Sequence, residues 1–332
     1  MAEQVVGSDA EGKLISILKV LSESSEPLGS ITIARRLEDE GVFLSERAVR
    51  YHLKIADERG YTLPGGRDGR MITEEGRREV KEALAPQHLG FVRDKLELLA
   101  YQTTFDPVKR SGLLPINTSL IAKEKFKKAL LAMKDIFKAG LCVSELVATA
   151  DEGEKLGAVV VPGGKIGFAT VCSLVVNGAL LKAGIPMDSR FGGLLQMRDR
   201  QPFRFVELIQ YSGSSLDPSA IFITGRMTSV AKIVGKGEGK VLANFREIPA
   251  ICRPVAEGVF AGLKDAGIGG LLVMGETSQP VCEIPVELNK IGVILLGGLN
   301  PVAAAVEAGI AVDNSAMSGV IEYGELKSFD KI

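Results

Sequence analysis

The 332-residue sequence predicts an α/β (α+β) chain in two parts: residues 1–85, small and mostly helical, and residues 86–332, a mixed α/β domain made of two similar halves. Three observations predict it. Helix-spaced apolar residues dominate the start of the chain. β-branched, strand-like runs alternate with helices through the rest. And one stretch is written twice: Lys165–Asp188 lies on Lys290–Asp313 at an offset of 125, without a gap and with nine identities in 24 positions. These include Lys165/Lys290, Gly167/Gly292, Leu174/Leu299, Gly184/Gly309 and Asp188/Asp313. Shorter echoes run upstream in the same order. Glu97-Leu98-x-x-Tyr101 answers Glu207-Leu208-x-x-Tyr211, Phe105-Asp106-Pro107 answers Leu216-Asp217-Pro218, and Asn117 answers Asn244. Lys138-Ala139-Gly140-Leu141 likewise answers Asp265-Ala266-Gly267-Ile268. Two copies, about 95–197 and 205–323, are too few for a solenoid. They predict two lobes facing each other across a pseudo-twofold axis with a cleft between them, the second copy carrying extra residues at 219–238.

In the first part, Leu14, Ile15, Ile17, Leu18 and Leu21 form a helical stripe over 10–25. Ser30 caps a second helix, Ile31–Glu40, and Ser45 a third, Glu46–Arg59, each ended by a glycine. Tyr61-Thr62-Leu63 and Arg70-Met71-Ile72 read as short strands joined by the turn-forming Pro64-Gly65-Gly66-Arg67-Asp68-Gly69, and a helix follows over Glu74–Ala85. Three helices and a hairpin in this order make a winged helix-turn-helix. On the third helix Val49, Leu53 and Ala56 share one face, while Arg47, Arg50, Tyr51 and Lys54 share the other. Residues 47–70 hold six Lys/Arg against three Asp/Glu, whereas residues 1–85 hold 13 against 16, so basic character is confined to this face and the hairpin. Ser45, Arg47, Arg50, Tyr51 and Lys54, with Arg67 and Arg70 on the wing, are therefore the candidate DNA contacts. The alternative is a small interaction module with a solvated charged helix. His52 reads as a packed residue.

Pro86-Gln87-His88 marks the linker. Beyond it, Leu98–Gln102, Leu113–Ile116, Cys142–Ala148, Gly157–Val161, Ile166–Val171 and Gly193–Met197 read as strands, with helices over Lys123–Ala139 and Ser173–Ala183. Four helices end in Ala-Gly-(Ile/Leu), at Gly140, Gly184, Gly267 and Gly309, where a left-handed residue is needed.

Net charge of −1 offers no global field for nucleic acid, so any such contact is local. No signal pattern or membrane-length apolar run occurs, and the four scattered cysteines show no C-x-x-C spacing, which fits a reducing cytoplasm. Val234 and Val241 stand where Walker A needs glycine and Ser/Thr around Gly235–Lys240, there is no G-x-S-x-G, and only two histidines are present. No catalytic constellation, metal site or cofactor motif emerges.

Two helix starts suit an anion. In the second copy Leu296-Gly297-Gly298-Leu299-Asn300-Pro301 leads from a strand into a helix, with Asn300 as N-cap. In the first copy the same place reads Val171-Cys172-Ser173, with Asn177 a turn later. Asn244-Phe245-Arg246-Glu247-Ile248-Pro249 puts an arginine before a helix start, either to clamp a carboxylate or to make a surface ion pair. Cys172, Asn177, Asn244, Arg246, Gly297, Gly298 and Asn300 are the candidate ligand residues, the alternative being ordinary turn chemistry.

CSLVVNG at 172–178, YSGSSLDP at 211–218, NFREIP at 244–249 and GGLNPVAAAVEAGI at 297–310 resemble the NrpR family of archaeal repressors of nitrogen assimilation. The resemblance spans nearly the whole chain and includes the winged helix. It implies a homodimer that binds palindromic operator DNA and is released by 2-oxoglutarate. Some members lack the winged helix and act as co-repressors, so a second NrpR-type subunit is a further candidate partner. A reading from another class is a metabolic enzyme acting on a small carboxylate, with the winged helix as its regulatory appendage. A third is a redox sensor built on Cys172.

Overall fold

The computed structural model describes residues 2–24, 26–39, 42–65, 69–80 and 91–332. The chain forms two compact units, residues 1–90 and 91–332.

The first unit has the element order of a winged helix: α1 (Ala2–Ser22), α2 (Ser30–Asp39), α3 (Glu46–Glu58), β1 (Thr62–Pro64), β2 (Arg70–Ile72) and α4, described over 74–80. Its core is the expected stripe: Leu14, Ile17, Leu18 and Leu21 of α1 meet Ile33 and Leu37 of α2 and Val49, Leu53 and Ala56 of α3. Burying side chains of this size stabilises by roughly 1.5–3 kcal/mol each. Ser45 caps α3, accepting the Ala48 N–H at 3.3 Å. Ser30 lies inside α2 instead of capping it, and its hydroxyl donates to Glu46. The antiparallel strands pair Thr62 with Ile72 and Pro64 with Arg70. The tip of the turn, residues 66–68, and the expected linker at 86–88 lie outside the described residues.

The second unit contains α5 (Val92–Gln102), β3 (Leu113–Ala122), α6 (Lys123–Lys138), β4 (Leu146–Ala150), the small hairpin β5 (Lys155–Leu156) and β6 (Val159–Val160), β7 (Lys165–Val171), α7 (Leu174–Lys182) and β8 (Asp188–Arg198). The chain then repeats itself. It continues through β9 (Gln201–Gln210), α8 (Pro218–Thr224), α9 (Val230–Lys236), β10 (Gly239–Pro249), α10 (Arg253–Asp265), β11 (Leu271–Met274), β12 (Lys290–Leu296), α11 (Asn300–Glu307), β13 (Val312–Glu322) and β14 (Lys327–Ser328). Two five-stranded sheets result, ordered β13-β3-β7-β4-β14 and β11-β12-β10-β8-β9.

Register shows that the copies are structural equivalents. Asn117 of β3 faces Thr170 of β7, and Asn244 of β10 faces Leu295 of β12, the same pair one repeat on. The last strand of each copy, however, joins the other copy's sheet. β8, from the first half, pairs with β10, and β13, from the second, pairs with β3. The repeated lysine and aspartate of the duplicated stretch are consequently crossed: Lys165 pairs with Asp313, and Lys290 with Asp188. Helices follow suit. α6 packs with α11 through Ala129, Met133, Phe137, Val302 and Ala303, while α10 packs with α7 through Ala256, Phe260, Val175 and Val176. The repeat glycines Gly140, Gly184, Gly267 and Gly309 take φ of 67°, 75°, 78° and 81°, the left-handed stop their position demands.

Several sequence expectations are corrected. Residues 98–102 end helix α5, not a strand, because Val92, Leu96, Leu99 and Ala100 recur at helical spacing on a buried face. The match of Glu97–Tyr101 to Glu207–Tyr211 is therefore one of letters only, since the second segment runs along β9 and its end. β3 extends to Ala122. β4 starts at Leu146, after Ser144 has bound the Leu146 N–H and the Gly267 carbonyl. The expected strand 157–161 is one side of a hairpin that turns at Gly157, φ 62°. The insert at 219–238 forms most of α8 and all of α9. Arg246 sits within strand β10, not ahead of a helix.

Candidate effector cavity and nucleic-acid interface

Where the two copies meet, near the ends of β3, β7, β10 and β12, a cavity of about 20 Å³ is lined by Asn117, Cys172, Ser173, Asn244, Arg246, Gly297 and Gly298, with Leu96, Tyr211 and Met317 closing it. It has room for roughly one water. The wall is pseudo-symmetric in position and asymmetric in chemistry. Cys172 and Ser173 of the first copy stand where Gly297 and Gly298 stand in the second. Asn117 accepts the Met317 N–H at 3.0 Å, whereas Asn244 donates to the Ser173 hydroxyl at 3.1 Å and accepts from Tyr211. Gly298 permits the close approach: a Cβ there would lie 2.3 Å from the Val171 carbonyl and 2.6 Å from the Asn117 amide.

Arg246 dominates this site. Its register equivalent in the first copy is Ser119, so the cation belongs to one side only. Its side chain is buried, with 1% exposed. It donates to the Ser173 hydroxyl at 3.0 Å and the Ser173 carbonyl at 3.4 Å, and touches the Met187 sulfur at 3.7 Å. Its Nε has no acceptor, and no carboxylate pairs with it among the described residues. Burial lowers its pKa, yet a guanidinium stays charged. One carboxylate, Asp217, lines the same cavity, but it is engaged by the Ala220 N–H at 3.1 Å, burial raises its pKa, and no ion pair joins it to Arg246, so the buried guanidinium is costly unless an anion reaches it. Burial also pushes the Cys172 thiol up to about 11 and raises the Tyr211 hydroxyl, so both are neutral donors near pH 7.

Two candidates sit elsewhere. Asn300 is fully buried one position inside α11, where its side chain accepts the Leu242 N–H at 2.8 Å and donates to the Leu242 carbonyl at 3.0 Å. It splints the helix start to β10 and does not line the cavity. Asn177 lines a neighbouring cleft, donating to the Ser189 hydroxyl at 3.0 Å. The sequence reading missed Ser173, Asn117, Tyr211, Leu96 and Met317. Asn117 and Tyr211 were visible as repeat and motif letters. Met317, held at φ 52° in an interrupted stretch of the β13–β3 pairing, left no one-dimensional signal.

In the first unit, Ser45, Arg47, Arg50, Tyr51 and Lys54 lie exposed along α3, opposite the buried Val49, His52, Leu53 and Ala56. Arg47 has no ion-pair partner among the described residues, Arg50 pairs with Glu46, and Lys54 lies 3.9 Å from Glu58. These exposed pairs are weak and yield readily to phosphate. Arg70 is differently employed: its Nε lies 2.9 and 3.1 Å from the two Asp57 oxygens, and Thr62 donates to the same carboxylate, locking the hairpin to α3. Arg67 lies outside the described residues. No helix among the described residues is long and apolar enough to cross a membrane.

The family model described as NrpR regulatory domains NRD1 and 2 matches residues 89–328, and that of the ribonuclease R winged-helix domain matches residues 15–80. The global nitrogen regulator NrpRI of Methanosarcina mazei is 38% identical over 317 residues, covering 96% of this chain and 98% of that protein. The global nitrogen regulator NrpR of Methanocaldococcus jannaschii is 32% identical over 98% of this chain, which spans 57% of that longer protein. A crystal structure of a nitrogen repressor-like protein from Methanococcus jannaschii matches with a TM-score of 0.61 at 27% identity, covering 72% of this chain and 98% of its own. These relatives are named as regulators, not enzymes. A duplicated regulatory domain matched over most of the chain, behind a winged helix and with 38% identity to NrpRI over nearly the full length of both proteins, places this chain in the NrpR family.

Proposed function

We propose that this chain is a transcriptional repressor of nitrogen-assimilation genes that binds a palindromic operator as a homodimer and leaves it when 2-oxoglutarate binds. The observation that carries this reading is Arg246: a buried guanidinium with an unsatisfied Nε, no carboxylate partner, and a cavity before it. A small dicarboxylate supplies the missing acceptor, and the Asn244 and Tyr211 side chains and the backbone at Gly297–Gly298 line the rest of the wall. One winged helix reads one half-site, and specific affinity for duplex DNA usually comes from two half-sites about 34 Å apart.

The test is operator binding by the full chain, titrated with 2-oxoglutarate and a panel of other central metabolites. Release by 2-oxoglutarate is expected, and Arg246→Ala should hold the operator with unchanged affinity while no longer responding. A ligand can shift the protein off DNA only by preferring the non-binding arrangement. Failure of the wild type to bind 2-oxoglutarate removes the effector from this reading; failure to bind any duplex removes the repressor.

A further inference from the structure

Next to the Arg246 cavity lies an open cleft of about 520 Å³ between α5 and α7, walled by Leu96, Asn177, Leu181 and Met187, with its two carboxylates each paired, Glu97 to Arg93 and Asp188 to Arg190 and Lys290. Cavity and cleft are separated by very little. Leu96 lines both, and Met187, on the cleft side, touches the Arg246 guanidinium. Asn177, 8% exposed, has a side-chain oxygen with no hydrogen-bond partner. An unmatched acceptor calls for a donor, which a dianion lacks; with the amide turned over, Oδ1 accepts from the Ser189 hydroxyl and Nδ2 is presented to the cleft, where a carboxylate can accept from it. The cavity alone is too small for a dicarboxylate of some ten heavy atoms, since it holds roughly one water.

The roof is suited to move. α5 buries Val92, Leu96 and Leu99 in a small apolar cluster with Cys172, Leu174, Tyr211 and Met317, separate from the two main cores. Its C-terminal end is the tight one: Thr103 is fully buried, and a Cβ on Gly178 would lie 2.3 Å from it. Its N-terminal end is held by the Val92 N–H to Ser214 and by Lys95 to the Ala316 carbonyl, at 2.8 and 3.2 Å. In sequence, α5 is the first element after residue 90, where the DNA-binding unit ends.

We propose that the effector site is cleft and cavity together. The dicarboxylate enters through the cleft and displaces Leu96. One carboxylate reaches Arg246 and Ser173, the distal end engages the Asn177 amide, and α5 tilts about Thr103 to admit it. This rests on the reading of Arg246 as the anion-binding residue.

Calorimetry with 2-oxoglutarate and hydrogen exchange on the full chain test it. Leu96→Trp, which wedges the partition, and Asn177→Asp, which sets a carboxylate against the dianion, should each weaken binding at least tenfold; both lower the thermal midpoint, so binding is compared at a temperature where circular dichroism shows each variant folded. Leu96→Ala should bind with faster association. Amides of residues 92–102 should exchange faster when the ligand is bound. If the wild type binds and Arg246→Ala does not, while Leu96→Trp and Asn177→Asp bind normally or the 92–102 amides are indifferent to ligand, the route is wrong and the proposed function stands. If the wild type does not bind, the effector assignment itself fails.

Discussion

Arg246 sets up a conflict between stability and response that can be measured. With no anion, its burial is costly, so Arg246→Met, similar in length and apolar, should stabilise the ligand-free chain by roughly 1 kcal/mol or more while abolishing ligand binding. Thermal midpoints with and without 2-oxoglutarate check both halves: the wild type should gain about 2.7 kcal/mol at a hundredfold excess of ligand over Kd, and the variant nothing. Cys172 separates the regulator from the redox sensor. With its thiol near 11 and its side chain buried, it should react with iodoacetamide at pH 8 far more slowly than the less buried Cys252, as peptide mapping of labelled protein would show. Rapid labelling of Cys172 would revive the redox reading. At this scale the sequence told the chemistry of Arg246 and not its setting. The residue types Asn-x-Arg were legible, but strand β10 buries the arginine by its register, and register is set by pairing with β8 and β12 far along the chain. Asn300 misled for the opposite reason. Its letters fit an N-cap, and the fold spends both ends of its amide on Leu242.

Among the elements, the helix-turn-helix and the repeat glycines were readable because their causes are local: 3.6-residue periodicity, an N-cap serine, a left-handed stop. α5 was not, because residues 98–102 in isolation are as strand-like as helical and only the longer stripe from Val92 decides. The approach of α11 to β7 rests on Gly298. Adding a Cβ that meets the Val171 backbone should destabilise by about 1–3 kcal/mol, since backbone cannot step aside as a side chain can. Gly258→Ala is the control: nothing lies within 4 Å of a Cβ there, and removing a glycine from the interior of α10 should stabilise by about 0.5–1 kcal/mol. Opposite shifts in thermal midpoint are expected, and equal shifts would refute the close-approach argument. Asp313→Ala, by contrast, breaks a pair whose aspartate is 70% exposed and should leave the midpoint almost unchanged.

At the scale of the whole molecule, the duplication was legible and the exchange of β8 and β13 was not, because identity between copies says which segments correspond and nothing about which sheet each joins. The exchange predicts that residues 91–199 and 200–332, expressed separately, will each be insoluble or unfolded, because the first fragment lacks β13 and β14 for its sheet and leaves β8 unpaired, while the second lacks β8 between β10 and β9 and leaves β13 and β14 unpaired. Co-expressed, they should assemble into a soluble pair with the circular dichroism of the intact unit. A folded, monomeric half would contradict the topology. The same exchange carries a reading of origin. A free half could satisfy its last strand only on a second, identical half, and that half only on the first, so a single-copy ancestor with this topology would have to pair with itself as a mutually swapped homodimer. Fusion released the two sites on the axis from having to change together. Arg246, whose register equivalent is Ser119, is one place where the two copies have since parted, a difference that a strictly symmetric pair of identical chains could not hold.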